Sequence, residues 1–294
     1  MNADNTILLP AGRKLTYAEF GRADGLPVLY FHGSPSSRLE PLLLGDALLA
    51  RVGLRVIAPD RPGLGGSGFQ PGRRLTDWPA DVAALADALG LDRFAVLGNS
   101  GGGPYVAACA AKIPDRLQVA VIVSGGWRMD WPEARKNLPL PNRLMLFLAR
   151  RAPFLLRGML GMMGRGGPGD REKELAQLKQ RMPAADFAAF AVPGRVEAFR
   201  EVMGECLRQG AKGAVWDLGL YGRDFGFRLE EVRAPLVLFH GEEDTNAPLA
   251  MVRRAVAELP NARLVTFPGE AHLSTLCNHF EDVAEALVAA KEAR

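Results

Sequence analysis

Residues 94–111, FAVLGNSGGGPYVAACAA, run from a short apolar segment through Gly98-Asn99-Ser100-Gly101-Gly102 into an Ala-rich segment of helical character. This is the pattern of a strand, a sharp turn and a helix, with a serine at the tip. The G-x-S-x-G spacing has a steric cause: such a turn strains the serine backbone, and the residues two before and two after come so close that a Cβ would collide. Gly98 and Gly102 meet that demand, and Asn99 leads into the serine. Pro104 falls in the first helical turn, where its missing N–H does no harm, and the N–H of Gly101 is left facing whatever the serine attacks.

The same rhythm extends outward in both directions. Pro27 opens the apolar run VLYFHG, residues 54–59 form another, and residues 119–124, VAVIVS, a third. Runs of this kind suit strands buried on both faces of a parallel sheet. Residues 14–20 alternate loosely and read as an edge strand, while residues 38–51 and 77–89 read as helices, the second with Thr76 as N-cap and Gly90 as its stop. Downstream come a strand at 235–240, a helix at 249–259, a strand at 263–267 and a last helix at 280–291. Alternation at these lengths predicts an α/β fold, a mostly parallel sheet with helices on both faces and its reactive loops at the carboxyl ends of the strands.

The rhythm breaks over residues 127–227, which predicts an inserted helical cap over those strand ends, leaving 1–126 and 228–294 as the core. Seven of the nine methionines lie in the interval (129, 145, 159, 162, 163, 182, 203), together with 17 Lys/Arg against 11 Asp/Glu. Methionine adapts to irregular apolar shapes, so a Met-rich cap suits a pliable acyl- or aromatic-binding wall, although the same residues would also pack cap helices together. Residues 144–163 are apolar, but Arg150, Arg151, Pro153 and Arg157 interrupt them well short of a membrane span. An interfacial helix touching lipid stays open as a reading. Residues 164–170, GRGGPGD, read as a joint within the cap.

A net charge of +3 and no Lys/Arg-dense run give no footprint for nucleic acid. Cys109, Cys206 and Cys277 share no metal-ligand spacing and read as free buried thiols of a reducing compartment. The first residues have no apolar core of signal-peptide length, so the cytoplasm is the expected location.

A serine hydroxyl needs a base that titrates near neutral pH, in practice a histidine oriented by a carboxylate. Four histidines are available. His32 precedes a Gly-Ser-Pro turn, His240 ends a buried strand and reads as structural, and His279 opens the last helix as a surface or capping residue. His272 lies in the loop after the last strand, where the sheet presents it to Ser100. Asp244, in the loop after the strand ending at His240, is the expected acid, with Asp130 its competitor; Glu242 and Glu243 read as solvated. For the oxyanion formed by attack on a carbonyl, Gly101 N–H is one expected donor and Ser34 N–H, or failing that Gly33 N–H, the second.

With His32-Gly33-Ser34-Pro35, Asp60-Arg61-Pro62-Gly63, Gly65-Gly66-Ser67, Gly98-Asn99-Ser100-Gly101-Gly102, His240-Gly241 with Asp244, and Gly269-Glu270-Ala271-His272 in this order, the chain resembles an α/β-hydrolase fold enzyme with a cap, in the broad esterase and proline-iminopeptidase-like group. The resemblance covers nearly everything outside the cap. It implies an eight-stranded sheet, Ser100 as nucleophile, His272 as base, Asp244 as acid, Ser34 and Gly101 as oxyanion hole, no metal and no cofactor. Iminopeptidase-like members tend to carry a bulky aromatic after the serine, so Gly101 argues against peptidase activity. Members that cleave carbon–halogen bonds or epoxides use an aspartate nucleophile, which Ser100 is not.

The expected activity is hydrolysis of a small or medium carboxylic ester through an acyl-enzyme. Lactones, amides, carbon–carbon bonds of β-diketone-like substrates and perhydrolysis share the same triad. A ligand-binding protein with little turnover is the reading from another class.

Overall fold

The computed structural model describes residues 2–163, 176 and 178–292 of the 294-residue chain. Eight strands build one sheet: β1 (Asn2–Leu8), β2 (Lys14–Gly21), β3 (Leu26–Phe31), β4 (Leu54–Pro59), β5 (Phe94–Asn99), β6 (Leu117–Val123), β7 (Leu236–Gly241) and β8 (Ala262–Phe267). Their spatial order is β1-β2-β4-β3-β5-β6-β7-β8. The β1–β2 and β2–β4 pairs are antiparallel and all the others parallel. The fold is α/β, as the alternation of apolar runs and helices predicts.

Side-chain alternation along the strands divides the core in two. Leu29, Phe31, Val96 and Ile122 point to one face and pack with Trp78, Tyr105 and Val252 of the covering helices. Val28, Tyr30, Leu97 and Val121 point to the other and pack with Leu49, Phe280 and Val283. Apolar residues on both faces are what make these strands continuous apolar runs in the sequence.

Seven strands are those the runs predict, and β1 is the eighth. It lies at the sheet edge with exposed and half-buried residues alternating, so NADNTIL carries no apolar run. The helix expected over 38–51 is instead a 3-10 turn, Glu40–Leu43, and a short helix, Asp46–Arg51. Gly45 between them has φ 85°, which interrupts the helical path. At 77–89 the helix starts at Trp78 after a 3-10 turn, and Thr76 lies within that turn rather than capping the helix.

Between β6 and β7 six helices have both ends among the described residues: Pro132–Asn137, Leu140–Arg151, Pro153–Met163, Ala184–Phe190, Arg195–Cys206 and Lys212–Leu220. Four of them share a small apolar cluster with Leu64 of the loop after β4, in which Ala149, Leu156 and Leu160 meet Cys206, Ala214 and Leu218. The joint expected at 164–170 lies outside the described residues.

Candidate active site

Strand β5 ends at Asn99, and Ser100 follows with φ 52°, the left-handed region where a side chain is strained. The glycines that flank it have no room for anything larger. A Cβ on Gly102 would stand 2.0 Å from the Phe31 carbonyl oxygen, and one on Gly98 would stand 2.6 Å from that of Gly102. The turn is therefore pressed against the end of β3, and the serine is lifted clear of the sheet.

His272 follows β8 at the start of the helix His272–Asn278. Its Nε2 is 2.8 Å from Ser100 Oγ, and its Nδ1 is 2.8 Å from Asp244 Oδ2. The loops after β7 and β8 touch at Gly241, where a Cβ would be 2.4 Å from the Glu270 carbonyl oxygen; this closeness lets Asp244 reach the imidazole. Asp244 Oδ1 accepts the N–H groups of Asn246 and Ala247, each at 2.8 Å, which fixes the carboxylate. Burial alone would push the Asp244 carboxyl up; the imidazole beside it outweighs that and holds it below the ordinary value. Burial pulls His272 down, and the Asp244 carboxylate overcomes this and leaves its pKa above the ordinary value. Asp130, the competing acid, is held instead by the Arg128 guanidinium at 2.7 and 2.8 Å.

The other histidines fall away from the serine. Buried His240 is within 2.8 Å of the Ala247 carbonyl oxygen and braces the Asp244 loop, its pKa lowered by burial. His32 is buried against the Gly33 carbonyl oxygen, 2.8 Å from Nδ1. His279 stacks on Phe267 between Glu270 and Asp282.

Above Ser100 opens a cavity of about 440 Å³, lined on the core side by Ser34, Gly101 and His272. Met129, Met145, Met182, Met203, Phe190 and Phe199 line it from the segment between β6 and β7. Four of the methionines of that segment thus face the cavity. A Cβ on Gly101 would meet the Tyr221 hydroxyl at 2.5 Å and Ser34 Cβ at 2.8 Å, so the space of the missing side chain is filled by neighbours.

Residues 27–276 match the family described as alpha/beta hydrolase fold. The chain belongs to that family. A bifunctional esterase/perhydrolase of Acinetobacter calcoaceticus is 27% identical over 272 residues, spanning 89% of this chain and 90% of the relative. A non-heme chloroperoxidase of Streptomyces lividans is 30% identical, over 91% and 92%. A 2-hydroxy-6-oxononadienedioate/2-hydroxy-6-oxononatrienedioate hydrolase of Paraburkholderia phymatum is 28% identical, over 79% and 72%.

Three buried carboxylates that the sequence did not single out surround the site of this α/β-hydrolase. Glu40 accepts Tyr30 Oη at 2.7 Å, Gly33 N–H at 2.8 Å and Asn99 Nδ2 at 2.9 Å, and also Ser36 Oγ. It ties the loop after β3 to the serine turn. It also occupies the Gly33 N–H, so that donor is already taken.

Asp217, on the helix Lys212–Leu220, is wholly buried and bonded to Arg61 and Arg73. It also accepts Ser34 Oγ at 2.7 Å and Tyr105 Oη at 2.6 Å, and Tyr221 Oη, 3.2 Å away, donates to the Gly101 carbonyl at 2.8 Å. Burial would raise its pKa, but the two guanidiniums hold it far below the ordinary carboxyl range. Asp186, on the helix Ala184–Phe190, accepts the N–H groups of Leu273 and Ser274 at 2.8 and 2.9 Å and so caps the helix that begins at His272. Of the charged residues in this network, Arg61 had a sequence signal, the Asp-Arg-Pro-Gly motif.

Proposed function

We propose that this α/β-hydrolase is a serine esterase that acts on neutral, apolar carboxylic esters of small to medium size through an acyl-enzyme. The observation that carries the reading is the pair of 2.8 Å contacts linking Ser100 to His272 and His272 to Asp244 beneath an apolar cavity. Ser100 Oγ attacks the carbonyl carbon as His272 Nε2 takes its proton; the imidazolium is stabilised by Asp244. The N–H groups of Ser34 and Gly101 receive the oxyanion, and one such donor is worth on the order of 10²–10³ in rate. His272 then protonates the leaving alcohol, and water, deprotonated by the same imidazole, releases the acid. In this reading residues 127–227 act as a cap whose methionines and phenylalanines hold the acyl group, and the buried thiols of Cys109, Cys206 and Cys277 fit a cytoplasmic protein.

Two wall residues favour a neutral substrate. Glu40 and Asp186 both bring carboxylates to the cavity lining, which opposes the entry of a dianion such as the dioate named for the Paraburkholderia relative. Perhydrolysis is the second reading, favoured by the name of the Acinetobacter relative: hydrogen peroxide replaces water in the last step and the product is a peroxyacid.

A fluorophosphonate probe followed by intact mass tests the core of the proposal. A single adduct on the folded chain, abolished in Ser100→Ala, is expected. A folded protein that takes up no probe, yet binds apolar esters, makes it a ligand-binding protein instead.

A further inference from the structure

The helices Leu140–Arg151 and Pro153–Met163 expose what most helices hide. Among the described residues, seven of the ten large apolar side chains that stand in solvent belong to this pair: Leu140, Leu144, Phe147, Phe154, Leu155, Met159 and Met162. Phe147 is 60% exposed and Phe154 70%. On the first helix, positions 140, 144 and 147 fall on one face, while Ala149 on the opposite side is buried. On the second, Leu156 and Leu160 turn inward and leave Phe154, Leu155, Met159 and Met162 outside. Seven large apolar side chains exposed on two successive helices are more than the singly scattered ones an ordinary surface carries, and mark a contact surface.

Its charge identifies the partner. Residues 138–163 contain four arginines, Arg143, Arg150, Arg151 and Arg157, and no Asp or Glu. All four are exposed, and none makes an ion pair with a described carboxylate. A second copy of this chain fits poorly, because a two-fold contact would set the same four arginines against each other. An anionic bilayer fits on both counts: phosphates accept the guanidiniums while phenylalanine, leucine and methionine enter the acyl boundary.

We propose that these two helices dock the protein on the surface of an anionic phospholipid membrane, lying in the interface without crossing it. The described part of the second helix is far shorter than a span, and no helix of the described residues is long and apolar enough to cross a membrane. A groove of about 520 Å³ on this face shares Met129, Leu138 and Leu146 with the wall of the cavity above Ser100. Docking here sets the cavity beside the lipid, where apolar esters concentrate. The membrane contact does not depend on the hydrolase reading.

Flotation with vesicles of phosphatidylcholine, alone or mixed with phosphatidylglycerol, tests it on the full chain. The protein is expected to float with the phosphatidylglycerol vesicles at low salt, to be released by high salt, and to stay down with phosphatidylcholine alone. Arg150→Gln/Arg151→Gln/Arg157→Gln should weaken partitioning by roughly 10²-fold, and Phe147→Ser/Phe154→Ser should abolish it. Both variants change exposed residues outside the cavity, and unchanged thermal midpoints and probe labelling of Ser100 confirm that the fold is intact. No flotation with anionic vesicles, or equal flotation of the variants, overturns the proposal. So does a lipid-free dimer in sedimentation equilibrium that Phe147→Ser dissociates, which would assign the face to a second copy.

Discussion

Ser100 and His272 are 172 positions apart in the chain and 2.8 Å apart in space, and the imidazole is tuned chiefly by the Asp244 carboxylate. Only neutral imidazole accepts the serine proton, so a pKa above the ordinary value delays activity until the pH has risen through it. The acid limb of kcat/KM for a p-nitrophenyl ester is therefore expected above that of an unperturbed histidine. Asp244→Asn removes the charge that raises the pKa and the acceptor that orients the ring; kcat should fall by roughly 10⁴, with the residual acid limb moved to lower pH. Asp130→Asn, which neutralises the carboxylate held by the Arg128 guanidinium, should leave the rate within about twofold. The reverse pattern in the pH–rate profiles of the two variants would reassign the acid. Ser100, Asp244 and His272 were legible because each follows closely on the end of a strand, where neighbours in sequence announce the geometry. Glu40 was not, because its donors Tyr30 and Asn99 belong to β3 and β5 and its own neighbours look like an ordinary helix.

Elements meet at His272 in a way that local sequence does not reveal. Helix His272–Asn278 takes its N-terminal cap not from its own preceding residue but from Asp186, on the helix Ala184–Phe190, while Ser274 Oγ accepts the Ala271 N–H at 2.7 Å. The segment between β6 and β7 thereby holds the start of the helix that carries the imidazole, and its charge adds to the rise in the His272 pKa. Asp186→Ala leaves two N–H groups without their acceptor and should lower stability by about 1–2 kcal/mol and reduce kcat/KM. Asp186→Asn keeps an acceptor and removes the charge, so stability and kcat at high pH should largely return while the acid limb moves down. If both variants keep the wild-type pH profile, Asp186 is only a structural cap. Strands buried on both faces were easy to read as elements; β1 was not, since an edge strand with half its residues in water has no apolar run.

At the scale of the whole molecule, Asp217 joins segments that are remote in sequence. Arg61 follows β4, Arg73 stands in the loop before helix Trp78–Ala88, Tyr105 is on helix Gly103–Lys112, and Ser34 follows β3. Separations from 112 to 183 residues explain why the motif around Arg61 was visible while its carboxylate partner was not. Two buried cations face one buried anion, so removing the anion leaves both uncompensated, a change that typically costs about 3–5 kcal/mol. Asp217→Asn should therefore shift the urea midpoint strongly downward with little change in slope. The pH dependence has a definite sign: a carboxyl depressed in the fold contributes fully above its unfolded value near 4, and loses that contribution only as the pH falls through its lower folded value. The deficit of Asp217→Asn should thus be constant from roughly pH 6 to 9. Adding Arg73→Met to the variant removes one stranded cation, so the double variant should be more stable than the two single losses added together predict. Strict additivity in the urea midpoints would mean that Arg73 and Asp217 are not energetically joined.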